Sequence, residues 1–236
     1  MLLCPQRLKR ADAYLAEQIA AGRLPGAVSS VYHKGELLHQ QSQGWADIEE
    51  QVPLSENHLF RIYSLTKIVT SVALLQLYEQ GLLDLNDPVA KYIPAFKHQG
   101  DEAKSRITIY DLLRHCGGIG SEHQVEELIG SERTLETFAD ELAAQSLKAV
   151  PGTRWLYGYS TDLLARIIEL CSGQRFDQYL SEHIFEQLGM NDTTFALSDE
   201  QAKRLCVLYR LSDTGGLIRQ EGNGADRLFG RDGSFL

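Results

Sequence analysis

Long hydrophobic runs are missing from this chain, and their absence excludes a membrane-spanning helix: no apolar stretch approaches the roughly 20 residues that a bilayer crossing needs. The opening Met1-Leu-Leu-Cys-Pro5 lacks the apolar core of a secretory signal, and a lipid-attachment reading of Cys4 fails for the same reason. A cytoplasmic location is expected, or a periplasmic or secreted one if a leader has been removed. Basic charge is in deficit, with 23 Lys and Arg against 32 Asp and Glu and a formal net charge of -9. That balance argues against a nucleic-acid surface. Only 4 cysteines occur, at Cys4, Cys116, Cys171 and Cys206, with no Cys-x-x-Cys pair, so neither a zinc site nor a disulfide framework is indicated. No histidine pair has metal-ligand spacing on a helix. Neither a P-loop nor a Gly-x-Ser-x-Gly elbow is found. What is there is an ordinary globular composition: 236 residues, 43% hydrophobic and 23% charged, enough to build the core of one domain or two subdomains.

The most informative stretch runs from Phe60 to Leu82. Ile68, Val72 and Leu75 recur at helical spacing, and Val69, Ala73, Leu74 and Leu77 fill the other sides, which predicts a helix apolar nearly all round and buried. Gly81 is its natural stop. At the other end Ser64 and Lys67 are three residues apart, so they share one face of the first turn. A serine hydroxyl is a poor nucleophile unless a base is within reach, and a lysine held away from water loses much of its preference for the charged form. Lys67 can then take or relay the proton of Ser64, and the Ser64 N–H at the head of the helix can help hold an oxyanion. A Ser-x-x-Lys tetrad arises by chance about once in a chain of this size, so the weight falls on its surroundings.

Around that helix the chain reads as short elements. Leu8 to Ala21 predicts an amphipathic helix with Leu8, Ala11, Leu15 and Ile19 on one face and Gly22 after it. Gly26–His33 and Glu36–Ser42, joined at Lys34-Gly35, predict a β-hairpin. Ser55-Glu-Asn57 reads as a turn. The Glu-, Gln-, Ala- and Leu-rich run from Glu122 to Ala149 predicts one or two helices with solvated acidic faces. Pro151-Gly152 marks a turn. Beyond it Ser160 or Thr161 caps a helix that buries Leu163, Leu164, Ile167 and Ile168 and closes at Gly173. Met190 and Phe195 suit core positions at a helix end. Leu205–Leu211 and Gly216–Gln220 flank Ser212-Asp-Thr-Gly215 as a second hairpin.

Phe60-Arg-Ile-Tyr-Ser-Leu-Thr-Lys67 followed by Leu82-Leu-Asp-Leu-Asn-Asp-Pro-Val-Ala-Lys-Tyr-Ile-Pro94 closely resembles the serine β-lactamase and penicillin-binding-protein superfamily, nearest its class C-like branch of esterases, D-amino peptidases and carboxypeptidases. Two further blocks, Val150–Gly173 and Arg175–Phe195, resemble the same family in the same order. The resemblance implies an α/β fold, an antiparallel sheet flanked by helices plus an all-helical subdomain, with the site between them. It divides the chain into 1–60 with the first helix and hairpin, 61–195 with the nucleophile helix and tyrosine loop, and 196–236 as a return hairpin. Arg106–Ile119 resembles the block in which a helix ends in a His-x-x-Gly turn, and His115 reads there as a structural histidine in preference to a catalytic base.

The resemblance also implies a tyrosine that passes protons. A phenol beside an ammonium has its anionic form favoured and can act as a general base. In the esterase-like version of the family an Asp lies five residues beyond that tyrosine, and Asp162 selects Tyr157 on this spacing. Tyr159 then stands where the family has Asn, and is the alternative base or a substrate-side residue. Losing that amide weakens the case for β-lactam recognition more than for ester cleavage. The family continues with a Lys-Thr-Gly or His-x-Gly strand, which supplies a second oxyanion N–H, and a terminal helix. None of these is found, so the expected fold is C-terminally incomplete. The implied partner is a small ester, amide or β-lactam, with no metal or organic cofactor. The readings carried forward are an esterase-like serine hydrolase, a β-lactamase or D-alanyl-D-alanine carboxypeptidase, and a catalytically silent binding or scaffold protein.

Overall fold

Lys34 and Gly35 both take positive φ, 52° and 84°, the turn geometry whose twist matches that of two flanking antiparallel strands. In the computed structural model, which describes residues 5–97, 102–120 and 134–220, that turn joins β1 (Gly26–His33) to β2 (Glu36–Asp47). The pairing runs from His33 opposite Glu36 to Gly26 opposite Gly44, with an irregularity after Val31. β2 continues past the expected Ser42 because its far end gains a second partner, the short β3 (Val52–Pro53). Glu56 and Asn57 form the expected turn after it.

The chain divides into two compact units, one running through Arg61 and resuming at Leu197, the other Ile62–Ala196. In the first, α1 (Pro5–Ala20) lies against the hairpin with Leu8, Leu15 and Ile19 half-buried. Ala11 is exposed, and Asp12 takes the inward place because it accepts a bond from His39 Nε2 at 2.9 Å. After α7 (Asp199–Ala202), β4 (Tyr209–Leu211) and β5 (Leu217–Arg219) form the second hairpin. Arg219 ties it to β2 through ion pairs of 2.9 Å to both Asp47 and Glu49.

The second unit is helical. A 3₁₀ turn at Tyr63–Leu65 leads into α2 (Thr66–Glu79), followed by α3 (Ile109–Leu113), α4 (Leu135–Ala144), α5 (Ser160–Ser172) and α6 (Phe176–Leu180). α6 runs on as a π turn over Ser181–Phe185. α4 accounts for part of the helical content expected between Glu122 and Ala149; residues 121–133 lie outside the described residues. The core is one cluster in which α5 packs on α2, α3 and α4, with Phe96, Phe138 and Phe176 fully buried. Leu163, Leu164, Ile167 and Ile168 of α5 are buried as their spacing requires. Met190 and Phe195 are half-buried and pack against the same cluster.

Two expectations are corrected. α2 is not buried all round: Ala73, Leu74 and Leu77 face the core, whereas Ile68, Val72 and Leu75 are 64%, 45% and 40% exposed. A helix apolar on every side carries no directional signal, and the buried side is the one whose smaller Thr70 and Ala73 let α5 approach. The Thr70 hydroxyl is satisfied by donating to the Thr66 carbonyl at 3.0 Å. Neither Ser160 nor Thr161 caps α5. The cap is Tyr159, with no side-chain bond to the helix, and Ser160, Thr161 and Asp162 are buried inside the first turn. The Tyr159 ring, set edge-on against Phe138 at 5.5 Å, fixes the entry that a hydroxyl cap would otherwise define. α2 ends as expected, with the Gly81 N–H on the Tyr78 carbonyl and the Leu82 N–H on the Leu77 carbonyl. Among the described residues no helix is long and apolar enough to cross a membrane.

The burial pattern of α2 is checked by two substitutions. Leu74→Ala should cost about 3 kcal/mol in urea unfolding, because it leaves a cavity in the core. Ile68→Gln should stay within about 0.5 kcal/mol. Similar losses from both would mean that the helix faces the other way.

Candidate active site

Tyr63, directly before the candidate nucleophile, holds φ at 45°. A bulky residue in left-handed backbone is a genuine outlier, costing on the order of 1–3 kcal/mol, and such strain tends to gather at functional sites. From there the chain turns through the 3₁₀ segment into α2, which puts Ser64 exposed at the head of the helix and Lys67 half-buried one turn on. The Lys67 ammonium donates to Ser64 Oγ at 3.4 Å, a long bond of the kind seen in unliganded sites. The Ser71 hydroxyl donates to the Lys67 carbonyl at 2.8 Å within the same helix.

Tyr157 comes to this pair from the loop before α5. Lys67 Nζ lies 5.2 Å from the centroid of its ring, within cation–π range, and the ring is 41% exposed. All three groups belong to the helical unit. Tyr159 points elsewhere: its ring packs edge-on against Phe138 and joins the core cluster.

The loop carrying Tyr157 is laid along the turn that ends α3. Thr108 caps α3 in a reciprocal box with Asp111, and Asp111 also accepts from Arg114 at 2.9 Å. The chain then reverses through His115, at φ 54°. The His115 carbonyl accepts the Leu156 N–H at 2.8 Å, and the Cys116 carbonyl accepts the Gly152 N–H at 2.8 Å. At Gly118, φ 80°, an added Cβ would come within 2.3 Å of the Ala149 carbonyl oxygen, so only glycine lets the two segments run this close. The Lys148 N–H bonds the Gly118 carbonyl at 2.9 Å.

The His115 side chain does more than close that turn. Its ring lies 4.8 Å from the Tyr157 ring and 6.3 Å from that of Trp155, and the last two are 5.9 Å apart. Nδ1 is buried and finds no hydrogen-bond partner among the described residues. Burial, and then the positive charge of Lys67, push the imidazole pKa below its ordinary value. Sequence reasoning placed His115 in a turn but missed its contact with Tyr157, since no spacing rule links the two; the shared His-x-x-Gly block was the only pointer. The strain at Tyr63 left no signal in the sequence.

A model of the β-lactamase family matches residues 11–228. The chain belongs to the β-lactamase family. Among its relatives is esterase EstB of Burkholderia gladioli, 30% identical over 92% of this chain and 60% of that protein. Protein flp of Staphylococcus aureus strain MW2 is 29% identical over 88% of this chain and 42% of its own. Of solved structures, EstCE1, described as a hydrolase with promiscuous acyltransferase activity, superposes with a TM-score of 0.83 at 26% identity, covering 91% of this chain and 59% of its own. An octameric penicillin-binding protein homologue from Pyrococcus abyssi gives 0.75 at 27%, covering 90% and 50%. The β-lactamase-family chain thus spans about 60% or less of the length of these relatives. Its mixed fold of antiparallel strands and helices is that of the β-lactamase and transpeptidase proteins.

The depressed pKa of His115 sets the sign of a pH effect on stability. The unfolded chain protonates this histidine near the ordinary value of about 6.5, whereas the folded chain does so lower. The contribution is complete above that value and is lost as pH falls through the window below it. Unfolding free energies measured from pH 7.5 to 5 should therefore decline less steeply in His115→Asn, which keeps left-handed backbone accessible but removes the imidazole. Parallel declines would show that the imidazole protonates as freely folded as unfolded.

Proposed function

We propose that this chain acts as a serine hydrolase that cleaves small esters through an acyl-enzyme. The observation that carries the reading is the Lys67 ammonium standing 3.4 Å from the Ser64 hydroxyl and 5.2 Å from the Tyr157 ring centroid. Ser64 Oγ attacks the ester carbonyl carbon while Lys67, in its neutral form, takes the hydroxyl proton. The tetrahedral oxyanion forms beside the Ser64 N–H at the head of α2. As the C–O bond to the alcohol breaks, Tyr157 and Lys67 deliver the proton to the leaving oxygen. Water then attacks the acyl carbon by the reverse relay and frees Ser64.

Esters are preferred over amides because Tyr159 stands at the position where an Asn would recognise a substrate amide, and its ring is committed to Phe138. The esterase name of one relative and the hydrolase and acyltransferase title of EstCE1 support the same preference. The penicillin-binding-protein title of the Pyrococcus abyssi homologue keeps a β-lactam or D-alanyl peptide as the second reading.

Three experiments bear on this. A fluorophosphonate probe should label the wild-type chain and not Ser64→Ala. Hydrolysis of p-nitrophenyl butyrate should fall by about a hundredfold or more in Lys67→Met and in Tyr157→Phe. Turnover of nitrocefin exceeding that of the ester would favour the second reading. A folded wild-type chain that takes no label and cleaves neither substrate would instead fit a silent family member.

A further inference from the structure

We propose that His115 is a positioning residue whose ring forms the wall that holds Tyr157 beside Lys67. This rests on the hydrolase reading above, in which Tyr157 transfers a proton.

Three independent contacts point the same way. The Tyr157 ring lies tilted against the His115 ring at 4.8 Å, and the Lys67 ammonium is 5.2 Å from the centroid of the same ring. Trp155 braces both rings, at 6.3 Å from His115 and 5.9 Å from Tyr157. The backbone adds a fixed point one residue away, because the Leu156 N–H bonds the His115 carbonyl. Wall and tyrosine are thus fastened to each other at both ring and main chain. His115 holds left-handed backbone, φ 54°, in the turn that carries this ring.

The chemistry of the imidazole suits a wall and not a proton carrier. Nδ1 is buried and has no hydrogen-bond partner among the described residues. Tyr157 of the loop meets the ring and the charge of Lys67 on α2 reaches it; Arg114 and Cys116 are its neighbours along the chain. Arg114 is turned to Asp111 and to the Tyr110 ring, and the Cys116 thiol donates to the Arg114 carbonyl. Lys67 is near enough for its charge to oppose a second charge on His115. A neutral imidazole at this place adds no charge beside the phenol and the serine, which suits a wall.

The test uses His115→Gly, which keeps positive φ without strain and leaves a ring-sized hole. Ester hydrolysis should lose about tenfold to a hundredfold in kcat with KM within about twofold, as expected when a reacting group is misplaced but the substrate still binds. Added imidazole should restore kcat, and so should pyrazole, which is equally flat but too weakly basic to carry a proton near neutrality. Rescue by imidazole alone would make His115 a proton-transfer group, and an unchanged kcat or no rescue by either ring would also overturn the proposal. A second measurement does not depend on turnover. In the NMR spectrum of the chain, Tyr157→Leu should move the His115 ring-proton signals, and Lys67→Met should raise the pH at which they titrate. Signals unmoved by Tyr157→Leu would mean the rings do not meet. A wild-type chain that cleaves no ester defeats the hydrolase reading, while these signals still decide whether His115 holds Tyr157.

Discussion

The packing of α5 on α2 is the constraint on which the candidate site depends. Each helix carries part of the site at its N-terminal end: Ser64 and Lys67 open α2, and Tyr157 precedes α5 by a loop of two residues. Ala73, Leu74 and Leu77 on one side and Leu163, Leu164, Ile167 and Ile168 on the other are removed from water in a single cluster. Interiors are packed as densely as organic crystals and have no soft mode along which two such helices could slide. A displacement of about 1 Å in this packing would exceed the margin of about 0.5 Å by which the 3.4 Å Lys67–Ser64 bond surpasses ordinary length, and errors of that size cost about a hundredfold in rate.

Against this rigid base the site itself is costly to hold. Tyr63 and His115 both occupy left-handed backbone, and Nδ1 of His115 is buried with no partner among the described residues. Each feature opposes folding locally, so the surplus must come from elsewhere in the same unit. The core supplies it, with 0% exposure at Leu74, Leu112 and Leu163. Among the described residues of the helical unit, the left-handed non-glycine ones are Tyr63 and His115, in turns beside Ser64 and against Tyr157. Strained groups on an unstrained frame are the arrangement expected of a site whose geometry is fixed before substrate arrives.

What the sequence made legible follows from how local each signal was. The Lys34-Gly35 turn names its own hairpin, and the 3.6-residue period of α5 names its buried face. The nearness of Ser64 and Lys67 follows from helical spacing, whereas nothing local brings Tyr157 to Lys67, and only resemblance to a family suggested it. The buried side of α2 was illegible because a helix apolar all round offers no preferred direction, and its partner made the choice. The cap of α5 was misread because hydroxyls at 160 and 161 have high capping propensity, yet a tertiary contact between Tyr159 and Phe138 set the helix entry one residue earlier. His115 was placed in the right turn, but its partner lies 42 residues further along the chain, a separation at which periodicity is silent.

That contact between Tyr159 and Phe138 also ties the identity of residue 159 to stability. An amide-bearing residue at 159 would face the site only if the tyrosine ring left its place beside Phe138, a residue 1% exposed in the middle of the core. Replacing the ring by Asn would open a void there and remove an aromatic pair, a loss of about 2–4 kcal/mol. It would also free the chain at the entry of α5, two residues after Tyr157, and loosen the phenol's position. A single substitution at 159 would therefore be offset by lost core packing. A second change enlarging position 138 would be needed to refill the core and restore the helix entry. The packing behind Tyr159 thus constrains which side chain can stand at the start of α5.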